Sequence, residues 1–167
     1  MTGRVPIGPD RFPALTDLRI RCRVPEAGGL ALLATMPNLG SLDMSGPSLR
    51  DDDLRPLTAL SQLGKLTIEN STLDGTALDH LFALDRLETI QLIDSNFGDA
   101  ALPILARLPA LADLYLGGTA VTAAGLEQLR PAPRLASLCV YPPIPGDRAR
   151  LAAILPRCDF FRSIKER

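Results

Sequence analysis

The chain has 167 residues, with 18 Lys+Arg against 19 Asp+Glu, one histidine and a formal net charge of −1 at pH 7. That balance leaves no bulk positive charge to hold a phosphate backbone, which excludes a generic nucleic-acid binder, and 46% hydrophobic residues exclude a disordered tail. The length suits one domain with a sizeable core, and that core must be built from 31 Leu and 20 Ala with no Trp, two Tyr and five Phe.

Residues 1–11 read as an irregular lead-in. They carry Arg4, Arg11, Pro6 and Pro9, with no apolar stretch of the kind a signal peptide needs. From residue 12 a period takes over. Leu15, Leu39, Leu63, Leu87, Leu111 and Leu135 are each 24 residues apart. Each opens the pattern apolar-x-x-apolar-x-apolar, as in Leu63-Leu66-Ile68 and Leu87-Ile90-Leu92. The alternation at its end predicts a short strand with one buried face.

The second half of each unit keeps step. Leu49, Leu73, Phe97 and Val121 form one further apolar column, and triplets such as Leu54/Leu57/Leu60 and Leu102/Leu105/Leu108 form three more. In the four middle units all 28 positions of these seven columns are apolar. Chance agreement is about one in a billion, so the repeat is a property of the fold. Spacing by three predicts one stripe of a short helix. Asp51, Asp74, Asp99 and Thr122 stand where helix caps or first-turn acids belong. On the same ground the run Asp51-Asp52-Asp53 reads as acids complementing a helix start. Pro37, Pro109 and Pro133 stop each helix before the next strand.

After Tyr141 the register fails. Pro142, Pro143, Pro145 and Gly146 predict a rigid loop, Asp147–Leu155 a last helix, and Cys158, Phe160 and Phe161 an apolar cover for the open end. The expected organisation is therefore lead-in 1–11, repeats 12–141 with about six strands, and a C-terminal loop and capping helix 142–167. A 24-residue strand–loop–helix unit cannot bury its own apolar face, whereas stacked copies can. The expected fold is an α/β solenoid, right-handed, with a curved parallel sheet on the concave face and short helices on the convex face.

The units resemble leucine-rich repeats. Leu111-Ala-Asp-Leu-Tyr-Leu-Gly-Gly-Thr-Ala-Val-Thr-Ala-Ala-Gly-Leu126 is similar to the bacterial form of the ribonuclease-inhibitor-like subclass. The resemblance implies a ladder of Asn side chains at the ninth position, where this chain has Pro47, Ser71, Ser95 and Thr119. It also implies the fold just described and a binding role, but no particular partner.

Chemistry-bearing motifs are sparse. His80 has no adjacent nucleophile and orienting group of the kind a general base needs. Gly117-Gly118-Thr119 lacks the remainder of a phosphate-binding loop. Cys22, Cys139 and Cys158 are odd in number and dispersed, so neither a disulfide framework nor a zinc site is expected. Cys22 and Cys139 fall at strand positions pointing away from the core, where an exposed thiol is possible, and Cys158 reads as a buried apolar residue. No enzymatic activity, cofactor or metal is expected.

The longest apolar run, Leu30–Met36, is too short to span a bilayer, so no membrane partner is expected and a cytoplasmic setting is. The excess of 16 Arg over two Lys fits a GC-rich bacterial genome.

The variable strand residues remain. Alternation places Arg19, Arg21, Asp43, Lys65, Glu69, Gln91, Ile93, Tyr115 and Tyr141 on the concave face, free of packing duty. Arg19, Arg21 and Arg23 form a basic patch at one end, and Ile93 with both tyrosines forms an apolar group at the other. Tyr and Arg are the residues most enriched at interface hot spots. The expected partner is a protein or peptide, anchored by Tyr115 and Tyr141. The alternative is a recognition domain of a larger signalling, effector or enzyme protein. End-to-end self-association through poorly covered strand edges is also open.

Overall fold

The computed structural model describes residues 14–21, 29–47, 49–143 and 147–161. The lead-in 1–11, Phe12 and Pro13, Cys22, Arg23, Pro145 and Gly146 lie outside the described residues.

Seven strands run in chain order through one parallel sheet: β1 Asp17–Arg21, β2 Ser41–Ser45, β3 Lys65–Glu69, β4 Thr89–Ile93, β5 Asp113–Gly117, β6 Ser137–Tyr141 and β7 Asp159–Phe161. From β1 to β6 each residue is level with the one 24 positions on, as in Leu42↔Leu66 and Leu66↔Ile90. The pleat then sends Leu42 and Met44, Leu66 and Ile68, and Ile90 and Leu92 to one side, where each is fully buried. The strand residues of the core are therefore level with their counterparts in the neighbouring units.

The strand entrances are tied together by the backbone. The Gly40 carbonyl accepts the N–H groups of both Gly64 and Lys65, and the Gly64 carbonyl accepts those of Glu88 and Thr89. The strand exits share a second device. Gly46, Asn70, Asp94 and Gly118 all take positive φ, at 145°, 49°, 47° and 59°. Gly, Asn and Asp are the residues that tolerate this conformation best. It lets the Asn70 N–H donate to the Ile93 carbonyl and the Asp94 N–H to the Gly117 carbonyl. Pro142 holds this column in the sixth unit, and a proline ring cannot take a positive φ, so the series ends there.

At the ninth position, Ser95 ties its own turn to that of the unit before. Its hydroxyl donates to the Ile93 carbonyl at 2.8 Å and accepts the Ser71 N–H at 3.2 Å and the Ser71 hydroxyl at 3.0 Å. Both serines are buried, so every one of these bonds replaces one to water.

The other layer differs from expectation in detail. It is mostly 3₁₀ helix: Gly29–Thr35, Asp51–Ala59 and Leu78–Ala83. A 3₁₀ helix has three residues per turn, so Leu54, Leu57 and Leu60 fall on one line and are all buried, although Leu102, Leu105 and Leu108 at the same spacing are equally buried across an α-helical turn. Only later units contain α-helical turns, α1 Leu102–Leu105 and α2 Ala123–Leu126. Thr122 caps α2 by accepting the Gly125 N–H, and Asp99 of the unit before accepts both the N–H and the hydroxyl of Thr122. Asp53 reaches back to the Arg50 N–H, so one acid of the Asp51–Asp53 run serves the helix start.

The C-terminal segment does more than the sequence suggests. Helix α3, Asp147–Ile154, is followed by β7, which pairs with β6 as Ser137↔Asp159 and Leu138↔Phe160. The register offset is 22 here and 24 elsewhere, so β7 lies off the repeat's columns and is a strand beyond the six expected. An ion pair between Arg150 and Glu127 ties α3 to the unit before. Cys158 is buried as expected. Burial, aided by the charges of Asp159 and Asp113, pushes its thiol up to about 12, so it carries no thiolate at neutral pH.

Candidate functional site: the open face of the sheet

The face of the sheet turned away from the core carries three rows of side chains, one from every second strand position. The register places each row across the strands. The outer row includes Asp17, Lys65 and Asp113. The middle row runs Arg19, Asp43, Thr67, Gln91, Tyr115 and Cys139. The inner row, next to the left-handed turns, runs Arg21, Ser45, Glu69, Ile93, Gly117 and Tyr141. All nine residues expected on this face are on it.

At the β1–β3 end the face is polar. Arg19 donates to Asp43 Oδ2 through Nε and Nη2, at 2.9 and 2.8 Å. Thr67, buried between its neighbours, has its hydroxyl 3.4 Å from Gln91 Oε1 on one side and serves Asp43 on the other, with one proton for the two. Sequence reasoning treats Thr67 as one more variable position, whereas it links the polar middle row. Arg19, Arg21, Asp43, Met44, Ser45 and Glu69 line a depression of about 120 Å³. Arg21 is exposed and forms no ion pair within the described residues.

Burial on its own would raise the Asp43 carboxyl. Hydrogen bonds from Arg19 and Thr67 and the charges of Arg19 and Lys65 outweigh it and hold the group below the usual carboxylate range. The folded state therefore favours ionised Asp43. That stabilisation is present above the ordinary carboxylate pKa and is lost as pH falls through the lowered one. The Arg19 side chain is 67% exposed, so the pair contributes at most about 1 kcal/mol. Asp43→Asn is expected to lower the urea midpoint slightly at pH 7 and by less at pH 3. Equal effects at the two pH values would show that the pair does not titrate with folding.

At the β4–β6 end the inner row is apolar, and its arrangement is not visible in the alternation alone. The Tyr115 ring lies along its own strand over Gly117. A methyl group on Gly117 would stand 2.7 Å from Tyr115 Cε1 and 3.0 Å from its hydroxyl oxygen. Gly117 is buried under this ring, and its Cα partners on either side are Ile93 and Tyr141. The missing side chain of Gly117 thus lets a middle-row residue fill the inner row. Ile93, the Tyr115 ring and Tyr141 become neighbours. Burial raises the Tyr115 phenol above its ordinary value, with Cys139, Asp94 and Tyr141 adding to the effect, so it stays neutral and able to donate. Tyr141 is 55% exposed, the one exposed large apolar side chain among the described residues.

Cys139 departs from expectation. It lies on the open face, yet only 5% of it is exposed. Its strand neighbours are Tyr115 on β5 and, through the added strand β7, Phe161. The seventh strand turns an edge position into an interior one, and the exposed thiol possible at Cys139 is not there. His80 is half-buried in the 3₁₀ helix Leu78–Ala83. No group of three or more His, Cys, Asp and Glu side chains among the described residues is arranged to hold a metal ion. No described helix is long and apolar enough to cross a membrane.

No family model and no curated protein matches the chain. Solved structures do. An internalin from Listeria monocytogenes superposes with a TM-score of 0.61 at 20% identity, over 89% of this chain and 47% of its own. A leucine-rich-repeat protein of Leptospira interrogans superposes with a TM-score of 0.55 at 19% identity, over 86% and 36%. The fold is that of leucine-rich-repeat proteins. The chain spans less than half the length of either structure. Likeness at this identity shows the leucine-rich-repeat architecture and carries no residue-level role from one protein to the other.

Proposed function

We propose that the chain is a non-enzymatic interaction module that binds a protein or peptide on the open face of its sheet. One observation carries the reading. The face sets both tyrosines of the chain beside Ile93, with Tyr141 standing in solvent where a core would have buried it. Aromatic anchors of this kind dominate binding energy at protein interfaces, and Arg21 adds a charge able to steer an acidic partner. The formal charge of −1 argues against nucleic acid as that partner.

The test is affinity capture from the native host with the wild type and with the triple variant Tyr115→Ala/Tyr141→Ala/Arg21→Glu. A genuine partner is retained by the first and lost from the second, since a truncated anchor costs about 2 kcal/mol or more. Unchanged far-UV circular dichroism and melting of the variant keep the comparison valid. A partner held equally by both proteins places the site elsewhere.

A second reading rests on the coverage: the chain is the recognition part of a longer leucine-rich-repeat protein. The mass of the native protein in its host decides this directly. To the same proposal belong the 24-residue, ribonuclease-inhibitor-like subclass, a bacterial source, a cytoplasmic setting and head-to-tail association through the edges of β1 and β7.

A further inference from the structure

The inner row is divided sharply. Its β1–β3 half offers Arg21, Ser45 and Glu69 beside the depression, and its β4–β6 half offers Ile93, the Tyr115 ring over Gly117, and Tyr141. The middle row beside it is already engaged with itself through Arg19, Asp43, Thr67 and Gln91. The free recognition groups therefore form a track one side chain wide that crosses the strands.

On this basis we infer that the ligand is an extended segment of a protein partner, carrying an acidic side chain toward β1 and an apolar or aromatic one toward β5. The inference rests on the reading that the open face is the binding face, and adds the chemistry and spacing of what binds there. Rows on one face of a sheet are two residues apart, about 7 Å, whereas a helix with its side chains is about 10–12 Å wide. A single extended chain fits the track and a helix overlaps the occupied middle row.

Charge complementarity sets the direction and the order. Arg21 is exposed and unpaired within the described residues, so it takes the acid. Glu69, two strands further on, opposes a second acid and favours a basic residue opposite it. The apolar group seats on the Tyr115 ring between Ile93 and Tyr141. Strands about 4.8 Å apart place Tyr115 about 19 Å from Arg21 across the sheet. At about 3.3 Å per residue, the acid and the apolar anchor lie about six residues apart, with the base near the midpoint.

The experiment is selection of a random 16-residue peptide library on phage against the full chain, repeated against Arg21→Glu, Glu69→Arg and Ile93→Arg. Enriched peptides are expected to carry an acid and an apolar or aromatic residue about five to seven positions apart. A synthetic copy of the best peptide should bind Arg21→Glu about tenfold or more weakly, and selection on that variant should exchange the acid for a base. Peptides that share no acid, or whose acid and anchor lie about 13 positions apart as a helix would require, overturn the inference. If those peptides still lose affinity on Ile93→Arg, the open face remains the binding face and only the proposed ligand chemistry is wrong. If nothing is enriched, or no face substitution weakens binding, both readings fall together.

Discussion

Phe97→Ala is expected to destabilise the protein by about 3–5 kcal/mol, enough to move its urea midpoint well clear of the wild type. Phe97 is fully buried and is the largest of the side chains with no exposure. It occupies a column that holds Leu49, Leu73 and Val121 in neighbouring units, so its ring fills more space than the repeat ordinarily provides. That space comes from Gly75, where an added methyl would stand 3.3 Å from Phe97 Cδ1. Alanine removes the ring and leaves a void that the rigid strand-turn-helix frame closes only in part. Phe97→Leu restores the residue most frequent in the column and should cost about 1.5 kcal/mol or less. Equal losses for the two variants would contradict the seating of the ring described here.

Gly75→Ala is the second large effect, expected at about 2–6 kcal/mol. Two independent causes combine. Gly75 has φ of 101°, where a side chain is strained by about 1–3 kcal/mol. The new methyl would also stand 2.7 Å from Ala101 Cβ in the next unit, an overlap that forces a shift costing about 1–3 kcal/mol. The causes separate in a double-mutant cycle. Ala101→Gly in the Gly75→Ala background should recover the overlap portion and leave the backbone portion, giving a coupling of about 1 kcal/mol or more. Additive melting data would mean that the two units do not touch at this point.

The strand half of each unit is legible in the sequence because one buried face and one solvent face force strict alternation. Leu66, Thr67 and Ile68 declare their roles by position alone, although the burial of Thr67 depends on Asp43 and Gln91 from adjacent strands and does not show locally. The other half is legible as a stripe but not as a helix type. Leu54 and Leu57 lie in a 3₁₀ helix and the equally spaced Leu102 and Leu105 in an α-helical turn, so spacing by three does not select the helix type. Strand β7 is hidden for another reason. Its offset of 22 takes Phe160 out of the Leu-column period, so a search at fixed spacing stops at Tyr141. Cys139 follows from that omission, since its cover comes with the strand that the period misses. At the site, the residue types and the face can be read in advance. The contact of Tyr115 with Gly117 depends on a ring orientation, and its one local trace is Gly117 itself, in a column where the other units carry Arg21, Ser45, Glu69, Ile93 and Tyr141.

The placement of the tyrosines gives the protein a built-in optical signal. The chain has no tryptophan, and its two tyrosines stand together on β5 and β6. Near-ultraviolet emission therefore arises almost wholly from one end of one face, undiluted by chromophores elsewhere. One ring rests on a glycine and the other stands in water, so a molecule settling between them alters both environments at once. Titrations followed by intrinsic fluorescence would report occupancy of that end of the sheet without a label, and would stay silent to contacts on the helical side.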